Sequence, residues 1–146
     1  MNMVQVYIKG QEDKELNCFL RYYPVRIKNI GMDAFFDRQV IYDFKDGRNH
    51  ADVAKCVAKM LIKVVGERTA VHGTKVKKEE RAKRLKEKNN IEVDANFFKN
   101  KIVCIWDDVV TTGTSFCAYT AQLEQVGAHV TNGIFLGKTS YKYVQQ

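Results

Sequence analysis

Short apolar runs alternate with longer amphipathic segments along this chain, which predicts an α/β domain. Runs rich in β-branched and aromatic residues predict strands over residues 39–44, 68–72, 91–94, 102–105 and 130–136. Residues 1–35 contain aromatic runs separated by Gly, Asp and Asn, and we expect short strands and turns there. Because predicted strands and helices alternate, a mainly parallel sheet is expected.

Two segments show the helical period. The first begins at Asn49, after a turn at residues 45–48, and its apolar face contains Ala51, Val53, Ala54, Val57, Ala58, Leu61 and Ile62. The second spans residues 114–126 and ends at Gly127, a residue type suited to the left-handed conformation that commonly follows a helix. These two helices flank the segment that carries the chemistry.

Residues 75–88 carry most of the positive charge. They hold eight Lys or Arg and three Glu, a net charge of +5 out of +7 for the whole chain. Oppositely charged pairs four residues apart favour a helix, but few apolar residues are present to pack it against a core. We therefore expect an exposed, mobile lid. Nucleic-acid binding is the less favoured interpretation, because no aromatic residues that could stack on bases are interleaved with the lysines.

The most informative segment spans residues 101–115. An apolar, β-branched run over residues 102–105 predicts a buried strand that leads to Asp107 and Asp108. Small hydroxyl residues around one glycine then precede the second helix. In open α/β sheets the ligand crevice lies at the carboxyl ends of the strands. The start of the following helix offers free N–H groups and a positive dipole end, which suit a phosphate. The two acids could accept hydrogen bonds from sugar hydroxyls, and the loop beside them could bind a phosphate. Together they predict a site for a phosphorylated ribose.

Other interpretations of the acid pair are weaker. A Walker B strand also ends in Asp, but the chain contains no sequence of the form G-x-x-x-x-G-K-[ST]. A response-regulator receiver needs a phosphoacceptor Asp far downstream, and no Asp follows Asp108. The remaining alternative is purely structural, with solvated acids and a Thr or Ser that caps the helix.

Residues 101–115 resemble the phosphoribosyl-pyrophosphate (PRPP) motif of type I phosphoribosyltransferases: an apolar strand, two acids, two variable residues and Thr-Thr-Gly-Thr-Ser. Residues 121–138 resemble the next helix and strand of that family, and short bacterial competence-type and amidophosphoribosyltransferase-like members are the nearest group. The resemblance implies a single domain with a three-layer α/β fold and a mainly parallel sheet. Within it, residues 1–38 would form a small N-terminal hood and residues 39–146 the core.

The same resemblance implies an activity and roles for individual residues. The protein would transfer a phosphoribosyl group from PRPP to a nucleobase or amine and release pyrophosphate, with Mg²⁺ bound mainly by PRPP oxygens. The catalytic residues that hold the ribose, and that could contact Mg²⁺, would be Asp107 and Asp108. The residues that bind the 5′-phosphate would be Thr111, Thr112, Gly113, Thr114 and Ser115. The pyrophosphate would be held by Lys45, Arg48, Lys77, Lys78 and Arg81, and the base by Lys138 and Tyr141.

The pyrophosphate region departs from the family pattern. The short bacterial members usually carry a further strand and an Arg-containing loop between the first helix and the basic segment, and neither is recognisable here. Two alternatives to an active enzyme follow. One is a regulator that senses PRPP or a nucleotide and binds nucleic acid, and the other is a catalytically silent homologue with an incomplete pyrophosphate site.

Size and composition limit the remaining choices. A chain of 146 residues with 45% hydrophobic and 28% charged residues is typical of one soluble domain. No apolar run approaches the ~20 residues of a membrane span, and the start lacks the features of a secretory signal, so we expect a cytoplasmic protein without a membrane partner.

The scattered cysteines do not have zinc-site spacing, and we expect Cys56, Cys104 and Cys117 to be buried thiols in a reducing compartment. We also expect a homo-oligomer, a dimer.

Overall fold

The computed structural model describes residues 3–65 and 93–144. The predicted strand over residues 68–72 and the basic lid therefore lie outside the described residues, as do Lys77, Lys78 and Arg81. The described strands are β1 (Val4–Gln5), β2 (Glu15–Tyr22), β3 (Ile102–Val110) and β4 (His129–Thr139). The described helices are α1 (Met32–Lys45), α2 (His50–Val65), α3 (Ala95–Phe98) and α4 (Thr114–Gln125).

The four strands form one open, mainly parallel sheet, as the alternation of elements predicted. Their order is β1-β2-β4-β3, in which β1 pairs antiparallel with β2 while β2, β4 and β3 are parallel. β4 lies in the middle, and its residues Ile134, Phe135 and Leu136 are at most 1% exposed. A parallel strand of this kind needs both faces covered, which explains its continuous apolar run.

Two hydrophobic clusters cover β4. The first contains Phe135 together with Phe116 and Leu123 of α4, and Leu16 and Cys18 of β2. The second contains Ile134 and Leu136 and includes residues of α1 and α2, namely Ile41, Val53 and Val57. Full burial of each such side chain stabilises the fold by about 1.5–3 kcal/mol. The helices therefore hold the sheet through β4.

The prediction of a strand over residues 39–44 is wrong, because this segment forms the second half of α1. The apolar residues Val40, Ile41 and Phe44 have a spacing that suits a helix face as well as a short strand. Ile41 packs where Gly137 leaves room on β4: a Cβ added to Gly137 would lie 2.5 Å from Ile41 Cδ1. Tertiary packing thus selects the helix, and the predicted turn follows it at Asp46 and Gly47.

The predicted helix from Asn49 is confirmed as α2, but its buried face is narrower than predicted. Val53 and Val57 are buried, and Leu61 packs partly against the same cluster. These three residues repeat every four positions and form one stripe. The predicted face was too wide, since Ala51, Ala54, Ala58 and Ile62 are exposed.

The N-terminal region enters the sheet instead of lying wholly outside it. β2, within the predicted hood at residues 1–38, pairs along its length with β4. Phe35 and Phe36 belong to α1, not to a short strand. Of the predicted strand over residues 91–94, the described residues Val93 and Asp94 are not in a strand. Asp94 instead caps α3, where its carboxylate accepts a hydrogen bond from the Phe97 N–H at 3.1 Å.

The elements around the predicted phosphate loop, residues 111–115, were predicted well. α4, β4 and the left-handed Gly127, with φ of +91°, are confirmed. β3 is also confirmed, but it continues through both acids to Val110. The expectation that residues 102–105 form a buried strand is wrong, since Ile102 is 56% exposed and Val103, Cys104 and Ile105 are half-buried. Among the described residues β3 is an edge strand, which accounts for this exposure.

The four cysteines, all within the described part of the chain, form no disulfide and have different surroundings. Cys18 is buried, Cys104 and Cys117 are half-buried, and Cys56 is exposed on α2. The prediction that Cys56, Cys104 and Cys117 are buried is therefore wrong, most clearly for Cys56. Within residues 3–65 and 93–144, no helix has both the length and the apolar character that a membrane crossing requires.

The contact between α1 and β4 can be tested by replacing Ile41, which is 0% exposed. Ile41→Ala should lower the free energy of unfolding by about 2–5 kcal/mol, because it leaves a cavity beside Gly137. Urea denaturation measures the change. The control is Ile62→Ala, at a 60% exposed position on α2, where we expect a change below about 0.5 kcal/mol. Equal losses in the two variants would contradict the position of α1 on the sheet.

Candidate functional site

A small cavity lies where the parallel strands end. Because β2, β4 and β3 are parallel, their carboxyl ends meet at one edge of the sheet, and the loop Thr111–Gly113 connects β3 to α4 there. Asp107, Phe135 and the continuous run of residues 109–116 line a cavity of about 130 Å³. The structure therefore brings one predicted acid and all five predicted phosphate-loop residues together.

The predicted phosphate-binding loop, residues 111–115, is called the phosphate loop below, and it is shaped by Gly113 and by a residue from the other end of the chain. Gly113 has φ of +86° and precedes α4 without any side-chain cap. A Cβ at Gly113 would lie only 2.6 Å from Ile8 Cγ2, so the buried Ile8 occupies the space that a side chain would need. Both the left-handed conformation and the close contact require glycine.

The start of α4 offers unpaired hydrogen-bond donors. The first intrahelical bond of this turn runs from the Cys117 N–H to the Gly113 carbonyl at 2.9 Å. The N–H groups of Thr114, Ser115 and Phe116 precede it and have no acceptor within the helix. The hydroxyls of Thr112 and Thr114 are 2.9 Å apart and add polar groups. An anion in the cavity would meet these donors at the positive end of the helix.

Two contacts fix the loop to the end of β4. The hydroxyls of Thr111 and Thr139 are 2.7 Å apart. The Lys138 ammonium donates a hydrogen bond to the Thr111 carbonyl. The loop is therefore held to the central strand as well as to β3, and Lys138 lies beside the loop.

The two predicted acids have different positions. Asp107 lines the cavity, whereas Asp108 does not. Consecutive strand residues point to opposite faces, which separates their side chains. The Asp107 carboxylate accepts a hydrogen bond from the Asp108 N–H at 2.8 Å, and the Asp108 carboxylate accepts one from the Val109 N–H at 2.7 Å. Asp107 is therefore the acid placed to contact a ligand in the cavity, and Asp108 braces the end of the strand.

The cations predicted from residues 45–48 make contacts on α1 and β2. The Arg48 guanidinium forms ion pairs with Asp43 at 3.0 Å and Asp46 at 3.1 Å. The Lys45 ammonium lies 5.5 Å from the centre of the Tyr22 ring. Within the described part of the chain, neither side chain hydrogen bonds with the phosphate loop. The structure thus does not bring Lys45 and Arg48 together with residues 111–115.

The two predicted base-binding residues also have separate contacts. Lys138 bonds to the phosphate loop, while the exposed Tyr141 ring has the Arg26 guanidinium 4.8 Å from its centre. Sequence reasoning missed Arg26 because the loop that carries it showed no motif.

Two further residues at the cavity were not predicted as site residues: Phe135 forms part of its wall, and Ile8 packs against the loop. Arg21 of β2 was not predicted either, and it is the register partner of Lys138. An Arg at the end of an apolar strand was the available signal for Arg21. It had no meaning until β2 was known to lie beside β4.

Comparisons of this chain with protein-family models, with curated proteins and with solved structures found no match. Any inference about function therefore depends on the chemistry of the site.

Glycine is required at position 113 for two reasons, backbone strain at positive φ and a steric clash with Ile8. Comparison with Gly47, which has a similar φ, separates them. Gly47→Ala changes a residue with φ of +81° and no atom within 4 Å, so it should cost about 1 kcal/mol of unfolding free energy from backbone strain alone. Gly113→Ala should cost a further ~1–3 kcal/mol because the new methyl group clashes with Ile8. Urea denaturation of both variants measures the difference.

The double variant Gly113→Ala with Ile8→Ala supplies the control for the clash. If Ile8 is the obstacle, the cost of adding a methyl group at Gly113 should be smaller in the Ile8→Ala background than in the natural chain. An unchanged cost would show that the contact between Ile8 and Gly113 does not shape the loop.

Proposed function

We propose that the protein binds PRPP and transfers its phosphoribosyl group to a nucleobase or amine, with release of pyrophosphate. The observation that supports this most directly is that Asp107 and the run of residues 109–116 share one cavity at the start of α4. An acid and a phosphate loop on the same wall match a ligand that carries a sugar and a phosphate.

The 5′-phosphate would bind at the phosphate loop. The N–H groups at the start of α4 and the hydroxyls of Thr111, Thr112, Thr114 and Ser115 would donate hydrogen bonds to its oxygens. A cavity of about 130 Å³ is smaller than the ~300–1,000 Å³ pockets that enclose whole drug-sized ligands. It suits the phosphate and part of the sugar, and the rest of PRPP would extend over the edge of the sheet.

The ribose would be held by Asp107, whose carboxylate would accept hydrogen bonds from the 2′- and 3′-hydroxyls. During transfer the bond between C1 and the pyrophosphate oxygen breaks, and its electron pair leaves with pyrophosphate. A nitrogen lone pair of the acceptor forms the new bond to C1, and the acceptor proton passes to solvent. Positive charge develops on the ribose, as in glycoside cleavage, and a nearby carboxylate stabilises it.

Magnesium fits this site as an ion carried with the ligand. Residues 3–65 and 93–144 contain no group of three or more His, Cys, Asp or Glu that could hold a metal ion. Mg²⁺ usually binds one or two carboxylates together with substrate phosphates, and Asp107 supplies one such carboxylate. When bound, the ion would neutralise charge on the leaving pyrophosphate.

The three-layer architecture of the family is part of the proposal. Its support is the division of the core, in which Phe116 and Leu123 of α4 belong to one cluster and residues of α1 and α2 belong to the other. Within β4, Phe135 belongs to the first cluster, and Ile134 and Leu136 belong to the second.

Calorimetric titration with PRPP and Mg²⁺ tests the binding half of the proposal, and pyrophosphate release in the presence of nucleobases and amines tests the transfer. Heat of binding together with pyrophosphate release would support the enzyme. Binding without release across acceptors would favour the PRPP-sensing regulator. A chain that binds neither PRPP nor ribose 5-phosphate would overturn both.

The contact of Asp107 with the ribose is tested by making the same substitution in each of the two adjacent acids. Asp107→Asn should weaken PRPP binding by about 10-fold, because it removes a charged acceptor, whereas Asp108→Asn should weaken it by less than about threefold. Calorimetry gives both affinities, and thermal unfolding checks that the variants remain folded. Equal effects of the two substitutions would contradict the assignment of Asp107 as the ribose-binding acid.

A further inference from the structure

The outer side of α1 carries exposed apolar side chains. Met32, Phe35 and Phe36 are 67%, 47% and 59% exposed, and the rings of Phe35 and Phe36 pack edge to face with their centres 6.1 Å apart. Val25, in the loop between β2 and α1, is 62% exposed. We call these four residues the α1 patch.

The loop that carries Val25 is held against α1. The Arg38 guanidinium donates hydrogen bonds to the carbonyls of Pro24 at 3.3 Å and Ile27 at 2.7 Å, one on each side of Val25. Phe35 precedes Arg38 by three residues and therefore lies on the same side of the helix. The loop thus runs along α1 beside Phe35, and the four residues belong to one surface.

This surface lies across the sheet from the cavity. Ala34 and Ile41 bury the inner side of α1, and Ile41 belongs to the second cluster. The cavity wall at Phe135 and the inner side of α4 at Phe116 belong to the first cluster. A partner bound to the α1 patch would therefore approach the face of the sheet that does not carry the phosphate loop.

Two acids lie on one side of the α1 patch. Because successive helix residues turn by about 100°, Asp33 and Asp37 lie about 60° and 100° from Phe36 in one direction, and Phe35 lies about 100° in the other. Within residues 3–65 and 93–144, no ion pair joins either carboxylate to a cation. Burial raises the pKa of the Asp37 carboxyl, and the negative charge of Asp33 raises it further. A cation placed against these acids would offset both effects.

Two basic residues lie on the other side of the patch. Arg26 and Lys28 are exposed, and they belong to the loop that Arg38 holds beside Phe35. Exposed apolar side chains therefore separate an acidic side from a basic side.

This distribution of charge fits a second copy of the same chain. In a dimer with two-fold symmetry, the same patch of each copy meets itself. A two-fold axis perpendicular to the line from the acidic to the basic side reverses that line, so that the acids of one copy face the bases of the other. A patch flanked by charges of one sign would instead repel its own copy.

The exposed apolar area is close to what a stable dimer needs. The α1 patch exposes roughly 400 Å² of apolar surface, since a fully covered aromatic side chain buries about 150–250 Å². An interface of standard size covers about 800 Å² on each partner, of which about 60% is apolar. The charged side chains on both sides of the patch supply polar area around it.

We propose that the α1 patch is the interface of a homodimer with two-fold symmetry, in which Asp33 and Asp37 of one copy face Arg26 and Lys28 of the other. The proposal gives the dimer expected from the sequence a defined surface. It does not depend on the proposed phosphoribosyl transfer, because the patch and the cavity lie on opposite faces of the sheet.

Analytical ultracentrifugation tests the apolar part of the interface, with a reducing agent present because Cys56 is exposed. The natural chain should sediment at twice the mass of one chain at about 10–100 μM. Phe36→Ser should weaken dimerisation by at least about 10-fold, because a symmetric interface loses the ring twice. The control Phe97→Ser removes a 44% exposed ring on α3 and should leave the dissociation constant unchanged.

Exchange of charges tests the predicted pairing. Asp33→Lys with Asp37→Lys makes both sides of the patch basic, and Arg26→Glu with Lys28→Glu makes both sides acidic. Each of these chains alone should be monomeric because like charges meet. An equimolar mixture of the two should form a heterodimer, since opposite charges then meet at both contacts. Thermal unfolding checks that each chain is folded.

Two outcomes would overturn the interface. A natural chain that stays monomeric at about 100 μM would leave the α1 patch to a different partner. A dimer that neither Phe36→Ser nor the charge substitutions weaken would have its interface elsewhere. Neither outcome bears on the proposed function, which PRPP binding by the natural chain tests separately.

Discussion

Burial of β4 on both faces is the constraint on which the rest of the structure depends. Ile134 and Leu136 are fully buried and Phe135 is 1% exposed, so this strand cannot lie at an edge or face water on either side. β2 and β3 satisfy its backbone groups, and the two hydrophobic clusters cover its faces. Because both neighbours are parallel to it, three carboxyl ends meet at one edge, and the cavity lies at that edge.

The phosphate loop depends on the same packing. Its conformation is fixed by Gly113 against Ile8 and by the contact between Thr111 and Thr139. The two residues that contact the loop are Ile8 and Thr139. Of these, only Thr139 is brought to the loop by the pairing of β3 with β4. Ile8 comes from the segment between β1 and β2, and so the N-terminal region shapes a site whose polar groups all lie some 100 residues later. The free N–H groups at the start of α4 keep their direction because the loop is held on both sides.

Local signals made the β3–α4–β4 unit predictable from sequence. An apolar β-branched run, a glycine-centred hydroxyl loop and Gly127 each act within a few residues, and the structure has all three elements close to their predicted places. The strand predicted over residues 39–44 failed because Val40, Ile41 and Phe44 suit either a helix or a strand. The deciding contact, Ile41 against Gly137, joins distant parts of the chain.

The pairing of β2 with β4 had no local signal either, and it changed the expected site more than any other long-range contact. Without it, nothing in the sequence indicated that Arg21 lies beside Lys138. The predicted pyrophosphate-binding cations were Lys45, Arg48, Lys77, Lys78 and Arg81. The alternation of faces also escaped prediction. Two adjacent acids form a symmetric motif in the sequence, yet the strand directs only Asp107 into the cavity.

The resulting distribution of charge would suit the proposed phosphoribosyl transfer, in which a cationic sugar separates from an anionic leaving group. Asp107 supplies negative charge within the cavity, where the ribose would lie, while Lys138 and Arg21 supply positive charge three rows further toward the carboxyl edge. Opposite charges held on separate rows of the sheet would stabilise both products of bond cleavage without a rearrangement of the sheet. Because each group is placed by the register of β2, β3 and β4, the burial of β4 would set the electrostatics of the reaction as well as the fold.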